Sequence, residues 1–173
     1  MKQFLRKHVV LLVAAVLPVP AIAGGAATRR NARLEQGVAA QLNTFRAAHG
    51  LPTLQTSPEL KVAAQAHSFE LADKGYFSHA SGDGGPFWER VKRFYPVGGS
   101  HFWSVGENLY WSSEGHSASF VIHRWFTSPE HRRVLERTKW REMGVSAIWV
   151  QRAPGVYGGR DVVIVTVDFG VRR

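Results

Sequence analysis

Apolar residues recur at helical spacing through the first half of the chain. One apolar stripe between residues 31 and 49 predicts an amphipathic helix, and its members are Leu34, Val38, Leu42 and Phe45. A second helix is predicted to begin at Ser57-Pro58-Glu59, because these residues supply an N-cap, a first-turn proline and a negative charge near the positive end of the helix dipole. It is predicted to end at Gly75, with an apolar face made of Leu60, Ala63, Ala64, His67 and Leu71.

Shorter elements fill the rest of the chain. Helices are predicted over 86–94 and 117–127, and another is predicted from a cap at Ser128 to Leu135. After residue 140 the period changes, and 143–149 reads as a strand that is apolar on both faces. Residues 161–171 are mostly β-branched and apolar, as in a central strand, and a glycine-rich turn separates the two. Helices first and a hairpin last predict an α+β fold, with helices covering an antiparallel sheet.

The N-terminus has the features of a targeting segment. Basic residues precede the apolar run Val9–Val16, and Ala21-Ile22-Ala23 offers the small residues that signal peptidase requires. The run is shorter than the roughly 20 residues of a membrane-spanning helix. We therefore predict a signal peptide over 1–23, a flexible lead-in over 24–33 and one domain over 34–171, in a secreted or periplasmic protein. An uncleaved N-terminal anchor is the alternative.

Composition narrows the classes of function. The chain has no cysteine, which excludes disulfides, thiolate metal sites and a cysteine nucleophile. Its formal net charge is +9, and it falls to +6 when the three basic residues of the predicted signal peptide are removed. A basic exported domain favours anionic partners such as envelope polymers or acidic lipid headgroups, although the charge can also serve solubility alone. The basic residues are scattered and not interleaved with aromatics, so no nucleic acid is expected as a partner.

Three residues stand out from the packing pattern. His79 precedes a glycine-rich loop, Glu107 lies between a glycine and an asparagine, and His131 lies one turn into a helix. Each has an ordinary interpretation when taken alone. A loop histidine is commonly a surface or capping residue, and a glutamate in such a setting is commonly a turn residue. His67, on the apolar face of the second helix, is interpreted as a core histidine.

Taken together, the segments around these residues resemble a known family. Phe77-Ser78-His79, the tetrad Gly106-Glu107-Asn108-Leu109 and the run Trp125-Phe126-Thr127-Ser128-Pro129-Glu130-His131-Arg132 occur in the order and spacing of bacterial CAP domains (SCP or pathogenesis-related-1-like domains). The resemblance covers about residues 35–171. It implies an α-β-α sandwich with a central, mainly antiparallel sheet covered by helices. It also implies a cleft that binds divalent metal in some members, and binding of sterols or fatty acids in others.

The resemblance transfers three site residues to this chain. His79 and His131 are the implied ligands of Zn²⁺ or another divalent cation, and Glu107 is implied as a ligand or as a residue that orients one histidine. Three positions depart from the family pattern: Ser128 replaces an acidic residue of animal and plant members, Val134 replaces a frequent asparagine, and Asp168 replaces a usual glutamine.

Three functions remain open at this point. The leading one is a secreted module whose cleft binds a small ligand or an anionic envelope component, with or without a divalent metal, and which acts as a monomer. The second is a metal-dependent or serine-type hydrolase built on His79, Glu107 and His131, with Ser78, Ser104 or Ser128 as nucleophile. The third is lipid or sterol binding. No candidate serine lies in a nucleophile-elbow sequence, so the sequence favours a binding module over an enzyme.

Overall fold

The computed structural model of the chain describes residues 27–173, so the signal peptide predicted over 1–23 lies outside the described residues. The elements in chain order are β1 (Thr28–Arg30), α1 (Ala32–Ala48), β2 (Gln55–Thr56), α2 (Pro58–Lys74), α3 (Phe87–Phe94), β3 (Trp103–Ser112), α4 (Ala118–Thr127), α5 (Pro129–Leu135), β4 (Glu142–Ala153), a 3-10 turn (Gly155–Tyr157) and β5 (Arg160–Arg172). Among the described helices, none combines the length and apolar character needed to cross a bilayer.

The strands form one sheet in the order β1-β4-β5-β3, and every pair along this path is antiparallel. The short β2 joins β4 as a parallel neighbour. The two central strands are β4 and β5, and most of their residues are buried on both faces of the sheet. This placement explains why neither strand alternates between apolar and polar residues.

Helices cover both faces of the sheet. Helices α1, α4 and α5 pack on one face and build the largest apolar cluster, around Val38, Trp125 and Leu135. Helices α2 and α3 pack on the other face, where Leu60 and Leu71 of α2 and Val91 of α3 are fully buried. The chain is therefore an α-β-α sandwich of the α+β class, which confirms the predicted fold.

Helix α2 begins and ends where the sequence predicts. Ser57 Oγ accepts a hydrogen bond from the Leu60 amide (3.3 Å), and Gly75 closes the helix in the left-handed conformation at φ 66°. The first turn of α2 lies directly on β4 at Gly144. A Cβ atom at Gly144 would come within 2.1 Å of the Leu60 carbonyl carbon, so only glycine allows this close approach.

A buried arginine joins the ends of two helices. Arg46 of α1 is fully buried, and its guanidinium donates to the carbonyl oxygens of Pro52 (2.7 Å) and Leu135 (2.7 Å). It also donates to the Arg137 carbonyl (3.3 Å). The side chain thus satisfies carbonyls that α5 leaves free at its C-terminal end. The sequence analysis did not single out this residue.

The flexible lead-in predicted over 24–33 differs from the structure in its described part. Thr28–Arg30 form the edge strand β1, and α1 begins at Ala32. The Gln151 amide donates to the Ala27 carbonyl (3.0 Å), and the Asn31 amide donates to the Ala147 carbonyl (2.8 Å). Backbone pairing and the ion pair of Arg30 with Glu35 hold this segment. Its side chains are largely exposed, so its sequence carries no apolar alternation that would indicate a strand.

Candidate functional site

Glu107 lies in the middle of strand β3. Its side chain points toward the α2–α3 side of the sheet and the residue is only 4% exposed. The interpretation of Glu107 as a turn residue is therefore wrong. Glycine and asparagine flank Glu107, and both are typical of turns, so the local sequence does not indicate a strand here.

Both carboxylate oxygens of Glu107 have nitrogen donors as partners. Oε1 lies 2.7 Å from Nδ1 of His79, and Oε2 accepts a short hydrogen bond from Nη2 of Arg90. Arg90 is buried, and its other terminal nitrogen donates to the His79 carbonyl (3.2 Å) and to Ser81 Oγ (3.1 Å). The His79 side chain is 53% exposed. With Nδ1–H directed at Glu107, the Nε2 lone pair of His79 is available to the solvent side.

Helix α2 holds the loop that carries His79. The fully buried His67 donates from Nε2 to the Ser78 carbonyl (2.9 Å), and Glu70 accepts from the Gly82 amide (3.0 Å). Burial lowers the pKa of His67, so its ring stays neutral inside the protein. The structure confirms His67 as a core histidine, and this histidine also fixes the backbone one residue before His79.

His131 approaches the same strand from the other face of the sheet. Asn108 donates from Nδ2 to the His131 carbonyl (3.2 Å), so neighbouring residues of β3 anchor the two histidine-bearing segments. Ser128 Oγ lies 2.9 Å from Nδ1 of His131, and Ser128 makes no side-chain cap to α5, contrary to the sequence prediction. Partial burial, followed by the positive charge of His79, lowers the pKa of His131.

A solvent-open groove of about 430 Å³ connects the two histidine-bearing segments. His131 lines it, and so does Phe77, which stands two residues before His79. Both histidine-bearing segments therefore contact β3, the edge strand of the sheet. Of the three residues that the sequence analysis selected, His79 and Glu107 are in direct contact, and His131 reaches the same strand through Asn108.

Asp168 is the second carboxyl group of the site. It lies opposite Glu107 in the β3–β5 register, is fully buried, and neither of its oxygens has a hydrogen-bond partner within residues 27–173. Burial and then the negative charge of Glu107 raise its pKa well above the ordinary value. Val134, another departure from the family pattern, packs against the core.

The side chains present suit a metal held by two imidazoles more than one held by a three-residue cluster. Within residues 27–173, no group of three or more His, Asp or Glu side chains is arranged to hold an ion. Glu107 already has a partner on each oxygen, so with a cation bound it would orient His79 and not coordinate the ion itself. The donors left for a cation are the Nε2 atoms of His79 and His131.

The three candidate serines do not complete a Ser-His-Glu triad. Ser78 Oγ accepts from the Ala80 amide (3.1 Å), and Ser104 Oγ pairs with Lys139 Nζ (2.7 Å). Ser128 contacts His131, whereas the carboxylate of Glu107 contacts the other histidine. In a triad, one histidine contacts both the serine and the carboxylate. Here the serine contact is made by His131 and the carboxylate contact by His79.

The sequence analysis missed Arg90 as a site residue. Arg90 stands three positions after Phe87 and four before Phe94, which are two apolar positions of α3. That spacing puts an arginine on the inward face of an amphipathic helix, where its charge requires an acidic partner. The signal was present, but it does not indicate which carboxylate fills the role.

Comparisons with known proteins agree with this architecture. The model of the cysteine-rich secretory protein family (CAP) matches residues 39–169. The uncharacterized protein YkwD of Bacillus subtilis is 29% identical over 126 residues, which cover 70% of this chain and 47% of YkwD. The chain thus spans about half the length of this curated relative.

Solved structures include similar folds. An extracellular protein of Bacillus anthracis containing an SCP domain is 26% identical, with a TM-score of 0.62 over 82% of this chain and 41% of that one. An outer surface protein of Borrelia burgdorferi is 17% identical, with a TM-score of 0.68 over 86% of this chain and 99% of that one, and shares the fold. Family match, fold and motif order lead to one conclusion: this chain belongs to the cysteine-rich secretory protein (CAP) family.

Proposed function

We propose that this chain is an exported binding module whose cleft, formed by His79, Glu107 and His131, holds a ligand at or outside the cell envelope with the help of a divalent cation. The observation that carries the proposal is the network Arg90–Glu107–His79. A buried ion pair fixes the orientation of an imidazole whose free nitrogen faces solvent. Such preorganisation is typical of residues that bind a ligand or metal, because it limits the freedom lost on binding.

Location and chemistry support the same proposal. The Bacillus anthracis relative is described as extracellular and the Borrelia burgdorferi one as an outer surface protein. Two imidazole nitrogens are suitable ligands for Zn²⁺, which would leave positions open for water or for an oxygen atom of the ligand. The lowered pKa of His131 keeps this imidazole neutral at pH 7, as metal ligation requires.

Binding is favoured over hydrolysis because the serine-type alternative lacks a carboxylate that orients the histidine next to the serine. Among the three candidate serines, Ser128 contacts a site histidine. Its Oγ lies near Nδ1 of His131, which is three positions later at the start of the same helix. No carboxylate in residues 27–173 hydrogen-bonds to His131. A base without an orienting carboxylate loses much of its efficiency in this class of enzyme.

The double variant His79→Ala, His131→Ala is expected to fold like the parent and to bind Zn²⁺ about 100-fold more weakly, since both proposed ligands are removed. Isothermal titration calorimetry of the metal-free protein with ZnCl₂ measures the affinity. His101→Ala, His123→Ala is the matched control, because it also removes two imidazoles, both from exposed positions. Equal Zn²⁺ affinity in the parent and the site variant would contradict the proposal.

A further inference from the structure

The groove beside His131 extends the cleft along the outer surface of β3 and α4. Its walls include the aromatic side chains of Phe77, Tyr110, Trp111 and Phe120. Its volume of about 430 Å³ is in the range of small-ligand sites in proteins. Phe77 and Phe120 are 37% and 41% exposed, so two apolar rings face water at the groove. Exposed apolar groups that cluster in this way commonly mark a binding surface.

The charge of the groove is positive. Arg124 supplies this charge, and none of the lining residues of the groove is acidic. The Arg124 side chain makes no ion pair or hydrogen bond within the described residues 27–173, unlike Arg30, Arg90 and Arg172, which each pair with a glutamate. An unpaired guanidinium beside aromatic walls suits a ligand that carries a carboxylate on a ring-shaped, partly apolar body.

The openness of the groove distinguishes between classes of ligand. An acyl chain gains most from an enclosed tunnel, whereas the rings of Phe77 and Phe120 remain more than one third exposed. A single-stranded nucleic acid requires a basic track along its backbone, and one arginine does not provide it. A sugar ring can lay its C–H face on an aromatic side chain and keep its hydroxyl groups in water, which suits an open groove.

We propose that this groove binds a segment of an acidic polysaccharide, with sugar rings against Phe77 and Phe120 and a sugar carboxylate on Arg124. This inference rests on the proposed function, because His131 belongs both to the cleft and to the groove. It assigns to the module a class of ligand, uronic-acid-type glycans, and places this ligand along α4.

The test uses an oligogalacturonate as the probe and its neutral methyl ester as the matched ligand, titrated by calorimetry in the presence of EDTA, because the contacts with Arg124 and the aromatic rings require no cation. The parent is expected to bind the acidic oligomer and to bind the ester about tenfold more weakly. Arg124→Gln and Phe120→Ser are each expected to weaken binding of the acid about tenfold. Arg133→Gln, an exposed arginine of α5 outside the groove, is expected to leave the affinity unchanged.

Three results would overturn the inference: equal affinity for acid and ester, an equal loss in Arg133→Gln, or binding of oleate without binding of the oligomer. The first two mean that Arg124 does not recognise the carboxylate, and the third means that the groove takes a lipid. EDTA separates this test from the metal experiment. Loss of glycan binding with Zn²⁺ affinity intact refutes this inference alone, whereas the reverse result refutes the metal site alone.

Discussion

Gly144→Ala is expected to lower the free energy of unfolding by about 3 kcal/mol, at the upper end of the usual cost of overpacking. An added Cβ would lie 2.1 Å from the Leu60 carbonyl carbon and 2.1 Å from the Lys61 amide nitrogen. These are backbone atoms of α2, so no side-chain rotation relieves the contact and the first turn of the helix must move off the sheet. Urea unfolding followed by tryptophan fluorescence measures the change.

Gly99→Ala is the matched control for this prediction. Gly99 lies outside the left-handed region, and an added Cβ there meets no atom within 4 Å. We expect its unfolding midpoint to match that of the parent. Since α2 also carries His67, which holds the backbone next to His79, the Gly144 variant is further expected to bind Zn²⁺ less tightly. A Gly144→Ala midpoint equal to that of the control would show that α2 does not rest on β4 as described.

Asp168→Asn is expected to raise the free energy of unfolding at pH 7. Burial and the neighbouring charge of Glu107 raise the pKa of Asp168 in the folded protein above its unfolded value of about 3.9. The unfolded chain therefore loses this proton first as the pH rises, and the folded state loses stability at about 1.4 kcal/mol per pH unit above pH 4, up to the folded pKa. Asparagine is similar in size and does not titrate.

The pH dependence provides the measurement. The gain in unfolding free energy of Asp168→Asn over the parent is expected to be small near pH 4 and to grow toward pH 7. Asp73→Asn, on the exposed surface of α2, controls for the loss of one carboxyl group and is expected to leave the pH profile unchanged. Parallel profiles for the parent and Asp168→Asn would contradict a raised pKa for Asp168.

The sequence predicts most accurately where local and tertiary signals agree. Helix α2 is an example, because its cap, first-turn proline, apolar face and final glycine all indicate the same boundaries. The central strand β5 is another, because its β-branched apolar run leaves no helical alternative. By contrast, β1 is short with largely exposed side chains and β3 carries turn-forming residues in its middle, so neither strand has a local signature.

The site was less accessible to pattern reasoning than the fold. His79 and Glu107 are 28 positions apart and meet only because a loop after α2 folds over β3. Their selection came from the resemblance to a family and not from periodicity. Local sequence also suggested a helix cap for Ser128, which in the structure contacts His131 instead. A serine hydroxyl near a helix start can bond either to a backbone amide of the helix or to a neighbouring side chain, and tertiary contacts decide between the two.

The strand order has a consequence for how the chain reaches its native state. Both central strands, β4 and β5, come from residues 142–172, after every helix of the described region. The helices therefore have no sheet to cover until residues 142–172 have been made, and β1 must wait for a partner some 120 positions away. Such long-range closure is expected to slow folding and to leave the helical part of the growing polypeptide without its core partner.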